Sequence, residues 1–284
     1  MTRFGFFTDT HLSGKSPRHR IDDYPRAILK KMAEAYQTAK DEDCSFMLFA
    51  RVFFNTHRIF SYEILGDAMD IVEEYGIPTY MCLGEHDLYG HSPTTYPTST
   101  LAFFVRRCPS VAIITKPVKI EGVTLHAKHE FDSPDIIDGK GVTVDCTEFN
   151  VLVCHELITN GKAPFDVIHT STFNNSPFDL VVSGDLHDGY LTHEVNGTWF
   201  CNPGALSRQK TNDSHRNPQM AIIEVEKGFE PVVDIRKLKC AQPGDEVFGE
   251  SIAEVVKGAV EEFDGDGFTE EMLQFEADSV DVHE

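Results

Sequence analysis

Four short elements rich in carboxylates and imidazoles are spread along the chain: Asp9-Thr10-His11, Gly84-Glu85-His86-Asp87, His155-Glu156 and Gly184-Asp185-Leu186-His187. Each follows a short apolar run, at residues 4–7, 79–83, 150–154 and 179–183, that reads as a strand. Hard oxygen donors and imidazoles gathered at strand ends are the donor set that a pair of divalent cations needs to attack a phosphoester. Residues i and i+2 leaving a strand share a face, so Asp9 and His11 point together. Taken singly the elements say little. An Asp-x-His is usually a capped turn, and a His after an apolar run is usually a core residue. Their repetition at successive strand ends makes the set a candidate centre.

The elements that must position these residues are legible as alternating periods. A helix is expected over 23–40, with Ile28, Met32 and Tyr36 on one face, and a second over 59–75, with Ile64, Leu65, Ala68, Met69, Ile71 and Val72 buried. Gly76 ends the second helix and Pro78 follows. A strand at 45–50 separates the two. After Pro93, Pro97 and Pro109 the pattern turns to short strands at 111–115, 118–120, 123–126, 150–154, 179–183, 189–195, 198–201 and 220–225. Strand–helix alternation followed by an antiparallel-looking half predicts an α/β fold of two packed mixed β-sheets flanked by helices. Residues 1–228 are expected to form this domain, and 229–284 a small C-terminal appendage with an acidic tail.

Composition sets bounds. A chain of 284 residues, 41% apolar and 11% aromatic, is globular rather than disordered. No apolar stretch approaches the roughly 20 residues that span a bilayer, and no signal pattern opens the sequence, so no membrane role and a cytoplasmic location are expected. Seven scattered cysteines without a CxxC pair argue against a zinc ribbon and read as core residues. The net charge of −21 should repel duplex DNA unless cations or a partner offset it.

The order and spacing of the motifs resemble the calcineurin-like metallophosphoesterases, and within them the SbcD-like nuclease subunits of DNA repair complexes, especially phage-type ones. The likeness extends over residues 3–225. It rests further on Leu88-Tyr89-Gly90-His91 and on Asn202-Pro203-Gly204-Ala205-Leu206-Ser207-Arg208. The resemblance implies a four-layer sandwich, and a first cation held by Asp9, His11 and His187. It implies a second at Glu85, His155 and Asp185, where Glu85 and Asp185 stand in the family's Asn and His positions. It also implies that His86 faces the leaving oxygen, with Asp87 orienting it. Carboxylates in place of Asn and His harden the second set and favour Mn2+ or Mg2+ over Zn2+.

One element is broken. Where the family has Gly-Asp after its second strand, with the Asp bridging the two metals, this chain reads Arg51-Val52. Val52 cannot ligate, and Arg51 brings a cation to a place meant for cations. The number of bound ions is therefore expected to be up to two, or one or none if Arg51 pairs with Glu85 or Asp185 instead. Basic residues Arg18 and Arg20, just after the first element, are candidates for contact with a phosphate backbone.

These readings leave a metal-dependent phosphodiesterase or DNA exonuclease subunit, impaired at Val52, as the leading expectation. Its partners by resemblance would be DNA, an SbcC-like ATPase subunit and a second copy of the chain. The alternatives are an inactive subunit that keeps the fold to bind such an ATPase, and a hydrolase of small phosphodiesters, which suits the acidity better.

Overall fold

Side chains alternate faces along β1 (Thr2–Phe7), where Phe4 and Phe6 enter one core and Phe7 enters another. That alternation sets the layers of the whole fold. The computed structural model describes residues 1–50, 52–58, 61–161 and 167–249. After β1 the chain runs through α1 (Tyr24–Asp41), β2 (Phe46–Phe49), α2 (Tyr62–Tyr75), β3 (Thr79–Met81), α3 (Thr100–Arg107), β4 (Val111–Ile113), β5 (Val118–Ile120) and β6 (Val123–Lys128). It continues with β7 (Phe149–Cys154), β8 (Ile158–Thr159), β9 (Ile168–His169), β10 (Leu180–Ser183), β11 (Tyr190–Val195), β12 (Thr198–Asn202), β13 (Gln219–Val225) and β14 (Val232–Lys237).

Twelve of the strands form two six-stranded sheets, in the orders β14-β13-β1-β2-β3-β4 and β11-β12-β10-β7-β6-β5. Both are mixed: β1 through β4 in the first sheet and β12, β10, β7 and β6 in the second run parallel, while β13 and β14 on one side of the first sheet and both outer strands of the second pair antiparallel. The expected pair of packed mixed sheets is therefore present. Phe4, Phe6, Phe46 and Leu48 meet Leu125, Val151, Val153 and Leu180 between the sheets. The other face of the first sheet is covered by α1, α2 and α3 through Ile28, Met32, Leu65, Val72 and Phe104.

Local chemistry explains the helices. The Asp23 carboxylate accepts the Arg26 N–H to cap α1, and Ser61 caps α2 by accepting from Ile64. Gly76, at φ 60°, takes the left-handed position that ends α2. Helix α3 was not expected. Three prolines dominate the reading of its surroundings, yet Ser99 accepts the Ala102 N–H and starts a helix in the space between Pro97 and Pro109.

The boundary expected after residue 228 falls in the turn between β13 and β14. β14 pairs with β13 from Gln219↔Lys237 to Glu224↔Val232 and so continues the first sheet. The N–H groups of Lys239 and Cys240 then donate to the Glu34 carboxylate on α1, at 2.6 and 2.7 Å. Residues 250–284, which hold most of the expected acidic tail, lie outside the described residues. Among the described residues no helix is long and apolar enough to cross a membrane. The seven cysteines form no disulfide.

Candidate metal centre

Strands β1, β3, β7 and β10 end at one rim of the two sheets, and the four sequence elements come together there. Asp9 is wholly buried and His11 nearly so. Both have left-handed backbones, at φ 54° and 43°, a conformation that non-glycine residues hold only where their surroundings fix it. Here the His11 N–H donates to the Val52 carbonyl at 3.3 Å and the Ser207 N–H to the Asp9 carbonyl at 3.1 Å. The Asp9 carboxylate accepts at Oδ2 from the Thr8 hydroxyl and the Asp185 N–H, at 2.9 and 3.2 Å.

Its Oδ1 faces two imidazoles, with His11 Nε2 and His187 Nε2 each 3.9 Å away. The two nitrogens are 3.2 Å apart. His11 Nδ1 lies 3.2 Å from Asn55 Oδ1, which can only accept. The Nδ1 proton is therefore held by Asn55, and the Nε2 lone pair is left to the centre, the tautomer a metal ligand needs. Asn55 Oδ1 is itself set by Gln209 Nε2 at 3.0 Å. The donor set of Asp9, His11 and His187, with ligand atoms all within 4.8 Å of one another, fits one divalent cation.

A second group forms around His155, which is 3% exposed. Its Nε2 is 2.5 Å from Glu85 Oε2 and its Nδ1 is 2.8 Å from Glu130 Oε2. Glu85, Glu130 and His155 also gather within 4.8 Å. Burial pushes the Glu130 carboxyl up, as does nearby Glu85, but the hydrogen bond to His155 and its charge outweigh them and hold it below the ordinary carboxylate value. The backbone of His155 is clamped as well: its N–H donates to the Lys128 carbonyl, and the buried Lys128 ammonium pairs with Glu156 while lying 3.4 Å from the His155 carbonyl. Gly84 leaves room for the ring, since a Cβ there would sit 2.9 Å from His155 Cδ2. The Glu85 oxygen and His155 Nε2 suit Mn2+ or Mg2+ when the proton on Nε2 gives way to the ion, with Glu130 behind the ring at Nδ1.

His86 stands between the two groups. Its ring centroid is 5.6 Å from that of His11, and its Nε2 is 3.4 Å from Glu85 Oε1. Asp87, expected to orient His86, instead accepts the Gly84 N–H at Oδ2 (2.9 Å) and closes the turn from within. Asp185, expected as a ligand beside His155, reaches the first group through its backbone N–H and lines the cleft in front of His11, His86 and His187. The acidic group brought to His155 is Glu130 in its place. Glu130 carries no motif, and the one signal that could have found it is its position just past β6, the strand next to β7. Val52 is fully buried, with its carbonyl on His11 and its nitrogen 3.1 Å from where a Gly84 Cβ would be. The side chain at the bridging position is thus aliphatic and in the heart of the rim. Arg51, and the pairing expected of it, lie outside the described residues.

The two arginines expected to meet a phosphate backbone differ. Arg18 is exposed on its loop. Arg20 is turned inward, with a side chain 1% exposed, and is corrected to a structural role. Its guanidinium grips both oxygens of Asp22 at 2.7 and 2.6 Å, donates to the Arg208 carbonyl at 2.7 Å and packs on the rings of Tyr24 and Phe248.

No family model matches the chain, and no curated protein matches it in sequence. Solved structures match it in fold. A dimetal phosphatase from Danio rerio superposes with a TM-score of 0.53 at 11% identity, covering 82% of this chain and 98% of that one. The chain shares that protein's fold. A second likeness, to the protein TT1561 of Thermus thermophilus, has a TM-score of 0.53 at 10% identity and covers 83% of this chain and 98% of that one. At such identity the similarity is one of fold, and the centre must be argued from its own residues. In this fold a cleft of about 620 Å³ opens over His11, His86, Asp185 and His187 and is also lined by Gln209 and Lys210. That volume admits a phosphoester and its substituents.

Proposed function

We propose that the chain is a divalent-metal-dependent phosphodiesterase whose turnover is held low by Val52. The observation that carries this reading is the convergence of two donor sets, Asp9/His11/His187 and Glu85/His155 backed by Glu130, on either side of His86. Mn2+ or Mg2+ bound there supplies polarisation of the phosphoryl oxygens and a more acidic water. The residues do the rest. Asn55 fixes the tautomer of His11, Glu130 and Lys128 fix the ring and backbone of His155, and His86 is placed to give a proton to the departing oxygen. Val52 puts a buried aliphatic side chain where a carboxylate could bridge the two sets. The roughly 4 Å spacing that in-line displacement favours is then not imposed.

The finer reading is a nuclease acting on DNA ends, working as a homodimer with an SbcC-like ATPase. It is supported by the order of the motifs. With a net charge of −21, the grip on DNA would have to come from the bound cations and from that partner.

Hydrolysis of bis(p-nitrophenyl) phosphate and of linear DNA, each with and without added Mn2+, tests this. Activity that needs Mn2+ and falls by roughly 10²-fold or more in His86→Ala supports the catalyst. Turnover of the small ester without any DNA cleavage moves the substrate to small phosphodiesters. No Mn2+-dependent turnover of either leaves the second reading, a subunit that keeps the fold for assembly. One observation favours that alternative: the His155 ring lies between Glu85 and Glu130, 2.5 and 2.8 Å from their carboxylate oxygens, an ion-paired arrangement that forms without a metal.

A further inference from the structure

The rim that carries the two donor sets has a third station. Asp9 and His187 leave β1 and β10, and Glu85 and His155 leave β3 and β7. β4 is the neighbour beyond β3, and β6 the neighbour beyond β7. Whatever leaves β4 and β6 therefore lies about 5 Å further along, by the ordinary spacing of strands. A cleft of about 490 Å³ opens there, lined by Ile114, Lys116, His129, Phe131, Ile136 and Val142 among others. Ile114 is buried while Phe131 keeps 42% of its surface exposed.

The cleft is built on the same backbone as the centre. Glu130, which holds His155, sits between His129 and Phe131 in the chain. The Glu130 N–H donates to the Leu83 carbonyl at 3.0 Å, and the Leu83 N–H donates to His129 Nδ1 at 3.1 Å. Leu83 immediately precedes the Gly84–Asp87 turn. His129 is thus fixed in orientation, and Phe131 stacks on it with centroids 5.4 Å apart and planes 27° from parallel. The result is a supported aromatic face in an apolar recess. Thr115, Asp132 and Thr143 bring donors and acceptors to its edge, and the exposed Lys116 brings a positive charge.

We propose that this cleft receives one unpaired nucleobase of the phosphoester whose phosphate lies at the metal centre, stacked on Phe131 and flanked by Lys116. The proposal rests on the phosphodiesterase reading and narrows its substrate class. A stacking face with a polar edge matches a heteroaromatic ring better than an alkyl chain. A base inside a duplex has both faces covered, so the substrates are single nucleotides in ester linkage or unpaired strand ends.

The test is calorimetric binding of adenosine 5′-monophosphate and of methyl phosphate to the full chain with Mn2+. The wild type is compared with Phe131→Ala, Phe131→Tyr and His11→Ala. The expected result is that the nucleotide binds roughly ten-fold tighter than methyl phosphate, that Phe131→Ala removes this advantage and that Phe131→Tyr keeps it. Equal affinities in the wild type, or an advantage that survives Phe131→Ala, overturn the cleft while leaving the metal centre standing if methyl phosphate still needs Mn2+ and His11. A Phe131-dependent advantage with methyl phosphate indifferent to Mn2+ and His11 keeps the cleft and overturns the centre.

Discussion

Glu130 Oε2 lies 2.8 Å from His155 Nδ1, an ion-pair contact on one edge of the ring, while Glu85 Oε2 lies 2.5 Å from Nε2 on the other. A carboxylate behind a ligand imidazole sets its tautomer and strengthens it as a donor. Glu130→Ala is expected to weaken Mn2+ binding at the Glu85/His155 group by roughly 10–100-fold. Binding at the Asp9/His11/His187 group should be unchanged. A calorimetric Mn2+ titration that shows both steps unaltered would remove Glu130 from the centre.

Gly84 makes a different prediction, through space rather than charge. Its Cβ would stand 2.9 Å from His155 Cδ2 and 3.1 Å from the Val52 nitrogen, one a clamped ring and the other backbone. Gly84→Ala should therefore displace His155, cost about 1–3 kcal/mol of stability by overpacking and reduce Mn2+-dependent hydrolysis. Urea unfolding and the hydrolysis rate measured together check both parts.

Arg20 and Arg18 separate structure from substrate contact. Removing the Arg20 guanidinium leaves half-buried Asp22 and the Arg208 carbonyl without their donor, a loss of roughly 3 kcal/mol. Arg20→Ala should show this in thermal unfolding, whereas Arg18→Ala should leave the midpoint where it was. A native-like midpoint for Arg20→Ala would mean that the cation is dispensable to the fold.

Lys31 on α1 predicts a pH dependence. Desolvation, with Arg208 and Arg20 close by, pushes its ammonium down to about 7 from 10.5, against weaker opposing effects of Cys240 and Asp22. Its Nζ donates to the Leu206 carbonyl at 3.1 Å, beneath the loop that closes over Asp9. Below pH 7 the lysine is charged both folded and unfolded, and the native state bears the full penalty of burying it. Between about pH 7 and 10.5 the unfolded chain holds the extra proton, so stability rises with pH. Denaturation curves should show this rise in the wild type relative to Lys31→Met, and parallel pH profiles would contradict it.

The strand ends were readable because each couples an apolar run to a polar element, a local signal that survives in one sequence. Asp9, His11, Glu85, His155 and His187 all reach the rim for that reason. Glu130 and Asn55 escaped because their roles depend on which strands become neighbours, and that is settled by pairing across more than 20 residues of chain. Helix α3 hid among prolines, and its signal was a serine cap of ordinary composition. β14 hid because an edge strand exposes alternate residues that need no apolar character, as Asp234 and Arg236 show. Arg20 looked like a surface cation because nothing near it in sequence announces that Phe248 will cover it.

On the proposed function, the donor sets hold the metal and the missing carboxylate at Val52 limits the chemistry. Mn2+-dependent hydrolysis of bis(p-nitrophenyl) phosphate by the wild type and by Val52→Asp, with circular dichroism to confirm folding, tests it most directly. A folded Val52→Asp that gains on the order of 10²-fold or more in kcat, as restored electrostatic placement would give, is the predicted result. A folded variant no faster than the wild type, with Mn2+ bound to both, would contradict it.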